Sequence, residues 1–250
     1  MMKASVVKTG FRFDRRWMLV DQEQTFMTQR TYPRMALISV QVKSDHLGVT
    51  APGMVALRVP LEIVGDSTSV IVWNDRVDAT DLGDDAARWF SEFLETTCRL
   101  VYLPDTSVRR VDPAHSANSD QVSFADAYPF LMISEGSLQD LNRRLETPVP
   151  VNRFRPNLVV AGCEAFAEDS WEAICIGGVM FRVVKPCSRC TIPTVNQATG
   201  ERGKEPLRTL SRYREHEGRV FFGQNLIHNA LGELKVGDTV KVLKQKNSDE

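Results

Sequence analysis

The stretch Glu172-Ala173-Ile174-Cys175-Ile176-Gly177-Gly178-Val179-Met180-Phe181-Arg182-Val183-Val184-Lys185-Pro186-Cys187-Ser188-Arg189-Cys190-Thr191 carries the clearest fold signal and the clearest chemical signal in the chain. Residues 172–176 and 179–184 are strand-like runs meeting at Gly177-Gly178, which reads as a β-hairpin with a tight turn. The second strand runs directly into two thiols three positions apart. Pro186 stiffens the backbone just before the first thiol. Arg182, Lys185 and Arg189 place positive charge nearby, which favours thiolate over thiol. A sulfur of that kind serves as a nucleophile or as a ligand to a soft metal. The rest of the sequence is read as the fold that presents this loop.

Outward from the hairpin, both halves look β-rich. Residues 16–20 and 25–29 are short strand-like runs split by polar Asp21-Gln22-Glu23-Gln24. Residues 35–42 form a longer apolar run after Pro33, and strands are expected at 47–50, 55–59 and 69–73. The period then changes. Ala86, Trp89, Phe90, Phe93 and Leu94 recur at helical spacing, so an amphipathic helix is expected over 84–96, with Asp84 and Asp85 at its N-terminus. Residues 100–103 return to strand, and a polar region follows to about Asp120, where a soft domain boundary is placed. Residues 128–133 read as a buried strand. Ser137-Leu138-Gln139-Asp140 matches a capping box, with a helix running to about Leu145. Residues 234–243 read as strand-turn-strand. Many short strands with few helices suggest a closed or nearly closed β-barrel, hence a mainly β fold with a few helices.

Composition limits the function. The chain has 250 residues, enough for one large domain or two modest ones. Its net charge of −1 argues against a general nucleic-acid or membrane-surface binder, so any anion site must be a local cluster. There is no apolar run long enough to span a bilayer, and Met1-Met2-Lys3-Ala4-Ser5-Val6-Val7 lacks the apolar core of a secretory signal. The cysteines are Cys98, Cys163, Cys175, Cys187 and Cys190; their odd number and scatter do not form a disulfide framework, so a reducing cytoplasm is expected.

The Cys187-x-x-Cys190 pair has no second pair to complete a zinc site, and His46, His115, His216 and His228 lack ligand spacing. A thioredoxin-type dithiol would sit at a helix N-terminus, whereas Thr191-Ile192-Pro193-Thr194-Val195 reads as β. Two readings remain: ordinary cysteines in a turn, which composition alone favours, and one thiolate binding a metal cofactor. Arg155 and Asn157, flanking Pro156, are either a solvent-facing strand edge or a guanidinium and amide aimed at a phosphate or heterocycle edge. Asp14-Arg15-Arg16-Trp17 has the same two readings. Arg208, Arg212 and Arg214 read most simply as a solvated face.

Taken together, these residues resemble the MOSC-domain proteins with an N-terminal MOSC β-barrel domain. That group includes the mitochondrial amidoxime-reducing components and their bacterial relatives. The resemblance covers nearly the whole chain. It rests on Asp14-Arg15-Arg16-Trp17, Thr28-Gln29-Arg30, Tyr32-Pro33-Arg34, Ser134-Glu135, Leu138-x-x-Leu141-Asn142, Phe154-Arg155-Pro156-Asn157 and Gly162-Cys163. It rests equally on Glu168-Asp169-x-Trp171, Cys187-Ser188-Arg189-Cys190, Lys204-Glu205-Pro206-Leu207 and Val236-Gly237-Asp238. Singly each motif is weak, and in this order the set is highly specific.

The resemblance implies a MOSC-type β-barrel over 104–244, a smaller β-rich N-terminal domain over 1–103 and a polar tail over 245–250. It implies a molybdenum cofactor, a pterin carrying a phosphate, with Cys190 as the thiolate on molybdenum and Cys187 as the partner that does not ligate it. It implies cofactor contacts from Arg15, Arg155, Asn157, Ser188 and Arg189. Two further contacts fall at Ala127 and Tyr128, where relatives often carry hydroxyl residues, and only a backbone contact carries over for Ala127. The implied activity is reduction of N-hydroxylated compounds, such as amidoximes and hydroxylamino-nucleobases, an N-reductive detoxification. The alternative is a molybdenum-cofactor or sulfur carrier, related to pyridoxal-phosphate-dependent cofactor sulfurases. Relatives begin with a strand and a Tyr-Pro-Val-Lys-Ser segment that contacts the cofactor. This sequence holds no such segment, so its barrel is expected to lack a first strand and its cradle a lysine and a serine. It also lacks the C-x₄-C-x₂-C pattern of a ferredoxin-like domain, so no iron–sulfur cluster is expected in this chain. Electrons would then come from a separate donor protein of flavin-reductase, ferredoxin-like or cytochrome type.

Overall fold

The computed structural model describes residues 3–116 and 119–246. Strands account for 38% of the chain and helices for 16%, and the sheets curl into half-barrels, so β pairing sets the architecture.

The central hairpin forms as its sequence predicts. Trp171–Ile176 pairs with Val179–Ser188, with Ile174 opposite Phe181 and Ile176 opposite Val179. Gly177 (φ 56°) and Gly178 (φ 86°) supply the two positive φ angles that a tight primed turn requires. Val179, Phe181 and Val183 are buried and Met180 between them is exposed, the period-two signature of a half-covered strand. The second strand runs past residue 184 and takes in Lys185, Pro186, Cys187 and Ser188. Its pairing with Arg219–His228 slips twice, between Val183 and Lys185 and between Pro186 and Ser188. Pro186 has no N–H for the ladder, and such irregularities bend a strand and re-aim its side chains. The thiols therefore leave the sheet at a doubly bulged strand.

This hairpin belongs to a seven-stranded sheet. Its main path runs Leu158–Val160, Phe130–Ser134, Arg219–His228, Val179–Ser188, Trp171–Ile176, Val240–Gln245, and Glu215–His216 pairs with Arg219–His228. Gly223 (φ 81°) lets the neighbouring strand approach, because a Cβ there would lie 2.7 Å from the Met132 carbonyl oxygen. Phe130, Met132, Ile174, Phe181 and Leu226 fill the core on one face, each contributing about 1.5–3 kcal/mol by leaving water.

The first half builds two smaller sheets. One runs Trp17–Val20, Arg99–Tyr102, Asp75–Asp81, Ser67–Val72, and the other Ser39–Val42, His46–Thr50, Leu57–Pro60. Helix Asp84–Leu94 lays Ala86, Trp89, Phe90, Phe93 and Leu94 against them, the face its spacing predicts. It ends at Glu95, whose φ of 56° breaks the helical path before residue 96.

Several elements differ from expectation for local reasons. Pro33 opens a 3₁₀ helix, Pro33–Leu37, so the 35–42 run is strand only over Ser39–Val42. Thr25 and Phe26 make isolated bridges in place of a full hairpin, because the Phe26 N–H is drawn to the Ile71 carbonyl. The second helix, Glu135–Arg143, is capped by Ser134, whose Oγ accepts from the Ser137 N–H at 3.0 Å. Ser137 lies inside the helix because its hydroxyl donates to Glu168 at 2.7 Å. Residues 191–195 form a 3₁₀ turn at Ile192–Thr194, not a strand. Gly232–Lys235 and Val240–Gln245 are both strands, but they pair with Lys3–Val7 and Trp171–Ile176 respectively, not with each other. The last strand takes in Gln245, and residues 247–250 of the expected polar tail lie outside the described residues.

The chain crosses between its halves more than once. Lys3–Val7 pairs with Gly232–Lys235, and Val6 joins the core around Phe130. The polar region after Pro104 is packed: Val111 and Val122 are buried, and so is Arg109. Arg109 donates to the Ser123 carbonyl at 2.9 Å, the Asp126 carbonyl at 3.0 Å and the Asp75 carboxylate at 2.8 Å. It also donates to the Ala125 carbonyl. That one guanidinium ties an irregular segment, 123–126, to the first half's sheet.

Candidate functional site

A cleft of about 440 Å³ collects Arg15, Arg155, Asn157, Ser188, Arg189 and Cys190, the six residues singled out from the sequence. Each reaches it by a different local device. Arg15 and Arg155 both adopt positive φ, 50° and 55°, which non-glycine residues rarely hold without support from their surroundings. The support is mutual: Arg15 Nη2 donates to the Arg155 carbonyl at 2.9 Å. Asn157 is pinned by the neighbouring strand. Its Oδ1 accepts from the Leu131 N–H at 2.9 Å, and its Nδ2 donates to Asp14 at 2.7 Å. One amide hydrogen of Asn157 is left over. Ser188 is exposed at the end of the bulged strand, and its hydroxyl has no partner among the described residues.

Arg189 crosses the base of the loop. It donates through Nη2 to the Phe154 carbonyl at 2.9 Å and through Nη1 to the Cys187 sulfur at 3.0 Å. Cys187 is thereby engaged by an arginine, while Cys190 faces the cleft beside it. Arg155 is walled by protein yet open to the cleft. Burial, then repulsion from Arg15, pushes its guanidinium down to about 10, so it stays cationic at neutral pH.

The positive charge beside the second thiol does not come from the neighbours that the sequence suggests. Arg182 is taken by Asp120, at 2.5 Å, and by Asn229 at 2.9 Å, and Lys185 does not line the cleft. The nearby cation is Arg30, from the other half of the chain. Burial alone would lower its pKa, but Asp126 and the Cys190 side chain outweigh burial and raise it. Sequence reading quoted Arg30 only as part of a motif. Its signal lay in the pairing with Asp126 across 96 positions, which no local pattern reveals. Arg214, read as part of a solvated face, binds Asp169 at 2.6 Å and stacks on Phe166.

Among the described residues, seven buried side-chain nitrogen or oxygen atoms have no hydrogen-bond partner. Three of them line the cleft, and all three are donors: Trp17 Nε1, Arg30 Nη1 and Arg189 Nε. An unsatisfied buried donor costs about 1–3 kcal/mol. Three around one thiol-bearing cleft are what an oxygen-rich or anionic ligand would relieve. The cleft lining also includes an apolar set, Met27, Met35, Ile38, Leu47 and Phe90, from the first half.

Comparison with known proteins places the chain. The MOSC domain profile matches residues 119–241, and that of the MOSC N-terminal beta barrel domain matches residues 1–97. Mitochondrial amidoxime-reducing component 1 of Mus musculus is 38% identical over 97% of this chain and 77% of its own length. The Homo sapiens protein of that name is 37% identical over 96% and 75%. Mitochondrial amidoxime reducing component 2 of Bos taurus is 36% identical over 94% and 74%. The chain belongs to the MOSC-domain family. In this MOSC protein the cleft is lined from both matched regions: Arg15, Met27 and Arg30 come from the first, and Asp126, Arg155 and Cys190 from the second.

A molybdenum cofactor is the group such a family implies, and the cleft's donor set fits it. Among the described residues no group of three or more His, Cys, Asp or Glu side chains could hold a metal ion. A metal on Cys190 would therefore need its other ligands from a cofactor. The orphaned donors and the arginines suit the oxygens and phosphate of a molybdopterin.

Proposed function

We propose that this protein is a molybdenum-cofactor-dependent oxidoreductase that reduces N-hydroxylated small molecules, such as amidoximes and hydroxylamino-nucleobases, to the N–H form. The observation that carries the reading is the meeting of one cysteine sulfur, Cys190, with three buried donors that lack acceptors. Relatives named as amidoxime-reducing components, at 36–38% identity over nearly the whole chain, support the same reaction class.

In this reading Cys190 holds molybdenum, and Arg15, Arg155, Ser188, Arg189 and the free amide hydrogen of Asn157 hold the pterin and its phosphate. The bound cofactor supplies a two-electron couple for reducing an N–O bond. Overall, an N–OH group takes up two electrons and two protons and leaves as N–H and water. The electrons come from a separate donor protein. The residues of this chain do binding work: guanidinium groups fix the anion, Arg189 keeps Cys187 occupied, and the apolar set takes the body of the substrate.

The test is turnover. Molybdenum-loaded protein with reduced methyl viologen and benzamidoxime should form benzamidine. Loaded protein that forms none would contradict the enzyme reading and favour cofactor delivery.

A further inference from the structure

The proposed function leaves Arg30 without a role. Its backbone is held on both sides: its N–H donates to Thr28 Oγ1 at 3.1 Å, and Arg202 donates to its carbonyl. Its guanidinium lies 4.8 Å from the Trp73 ring centroid and pairs through Nη2 with Asp126. Asp126 stands on the segment whose carbonyls Arg109 grips, so the acceptor side of the pair is fixed as well. The remaining terminal nitrogen, Nη1, is buried without an acceptor in the wall of the cleft. Cys190 lines the same cleft as this guanidinium.

A purely structural arginine would have its donors used, as Arg109 does. Here the Trp73 stack and the Asp126 pair hold the fork, while the Nη1 arm has no acceptor at hydrogen-bond geometry among the described residues. The fixed planar fork suits an oxygen acceptor better than an ammonium would. We infer that Arg30 is a further binding residue of this site, whose Nη1 donates to an anionic or strongly polarised oxygen seated beside the Cys190 sulfur. This rests on the proposed function. The oxygen belongs either to the cofactor's metal group or to the N-hydroxyl of the substrate, and the two sources separate experimentally.

The experiment compares wild type, Arg30→Met, Arg30→Lys and Trp73→Leu, purified from a host that makes the cofactor. Each is measured for molybdenum per chain, unfolding midpoint and steady-state kinetics with benzamidoxime. Asp126 is 60% exposed, so its carboxylate stays solvated without Arg30 and Arg30→Met should fold. Arg30→Met is expected to lose tenfold or more in molybdenum content if the oxygen is the cofactor's. If it is the substrate's, content stays and kcat/KM falls by a similar factor. Arg30→Lys should recover only part of the loss, because it restores the charge without the second donor. Trp73→Leu, which loosens the fork without removing its donors, should lower molybdenum content or kcat/KM less than Arg30→Met does. Arg30→Met equal to a molybdenum-loaded wild type in content and kinetics overturns the inference alone. So does full recovery in Arg30→Lys, which would leave Arg30 only an ion-pair role. A wild type without molybdenum overturns the proposed function, and this inference with it.

Discussion

Two sets of arginines divide this molecule. Arg16 and Arg109 are buried, and neither keeps a buried nitrogen without an acceptor. Arg16 donates to the Leu103 carbonyl at 2.9 Å and to Asp105 at 2.7 Å, and Arg109 serves three carbonyls and a carboxylate. Arg30 and Arg189 are anchored as firmly, yet each keeps a buried nitrogen without an acceptor in the cleft wall. Arg15 and Arg16 are sequence neighbours with different surroundings. The positive φ at Arg15 turns the backbone there, so Arg15 lines the cleft while Arg16 is buried against Leu103. Burial and charge alone do not separate scaffold from site here. Whether a buried donor is left without an acceptor does.

The comparison breaks most visibly at Cys190, which lines the cleft together with both open arginines. Cys190→Ser is expected to abolish N-hydroxy reduction, because a neutral hydroxyl is a poor substitute for a soft thiolate. Cys187→Ser should keep much of the activity, since Arg189 already occupies that sulfur at 3.0 Å. Equal loss in both, measured as benzamidine formed, would point to a dithiol mechanism.

On the other side, Arg109→Leu strands the carbonyls of Ser123, Ala125 and Asp126. We expect a stability loss of about 3 kcal/mol by urea unfolding, the cost of a few buried groups left unpaired. A loss under about 1 kcal/mol would show that water replaces the guanidinium freely.

The open side should respond the other way. Arg155→Ala and Arg189→Ala should lower cofactor retention tenfold or more while moving the unfolding midpoint little, since a charge-assisted contact is worth about 1.5–3 kcal/mol. Unchanged molybdenum content in both would remove them from the site.

The smallest expected effect belongs to a partly exposed ion pair, Arg99 with Asp81. Burial pushes the Asp81 carboxyl up, but Arg99 and the Gly83 N–H hold it below the usual carboxylate range. A depressed folded pKa stabilises above the unfolded value of about 3.9 and is lost as pH falls through the folded one. Asp81→Asn should thus cost under about 1 kcal/mol at pH 6, and the difference from wild type should shrink at low pH. A difference that grows on acidification would reverse the assigned sign.

Much of this was legible before any coordinates. The hairpin around Gly177-Gly178 and the Asp84–Leu94 helix are written in local periodicity, which needs no knowledge of distant chain. The six cleft residues were reached through motifs, and the cleft gathers them from positions 15 to 190. Strand partners were not legible. Gly232–Lys235 and Val240–Gln245 look like a hairpin in sequence, and each joins a strand elsewhere. Arg30 stayed hidden for the same reason, because its meaning lies in Asp126 and Cys190, which only the fold brings near. Arg182 misled because its charge looked close to the thiols along the strand, while Asp120 had claimed it.

The most direct measurement of the central claim is elemental analysis of wild type and Cys190→Ser, expressed side by side with molybdate and purified identically. The account expects stoichiometric molybdenum in wild type and almost none in Cys190→Ser, with matching unfolding midpoints once the cofactor is stripped from both. Wild type without molybdenum, or equal molybdenum in the two proteins, would contradict it.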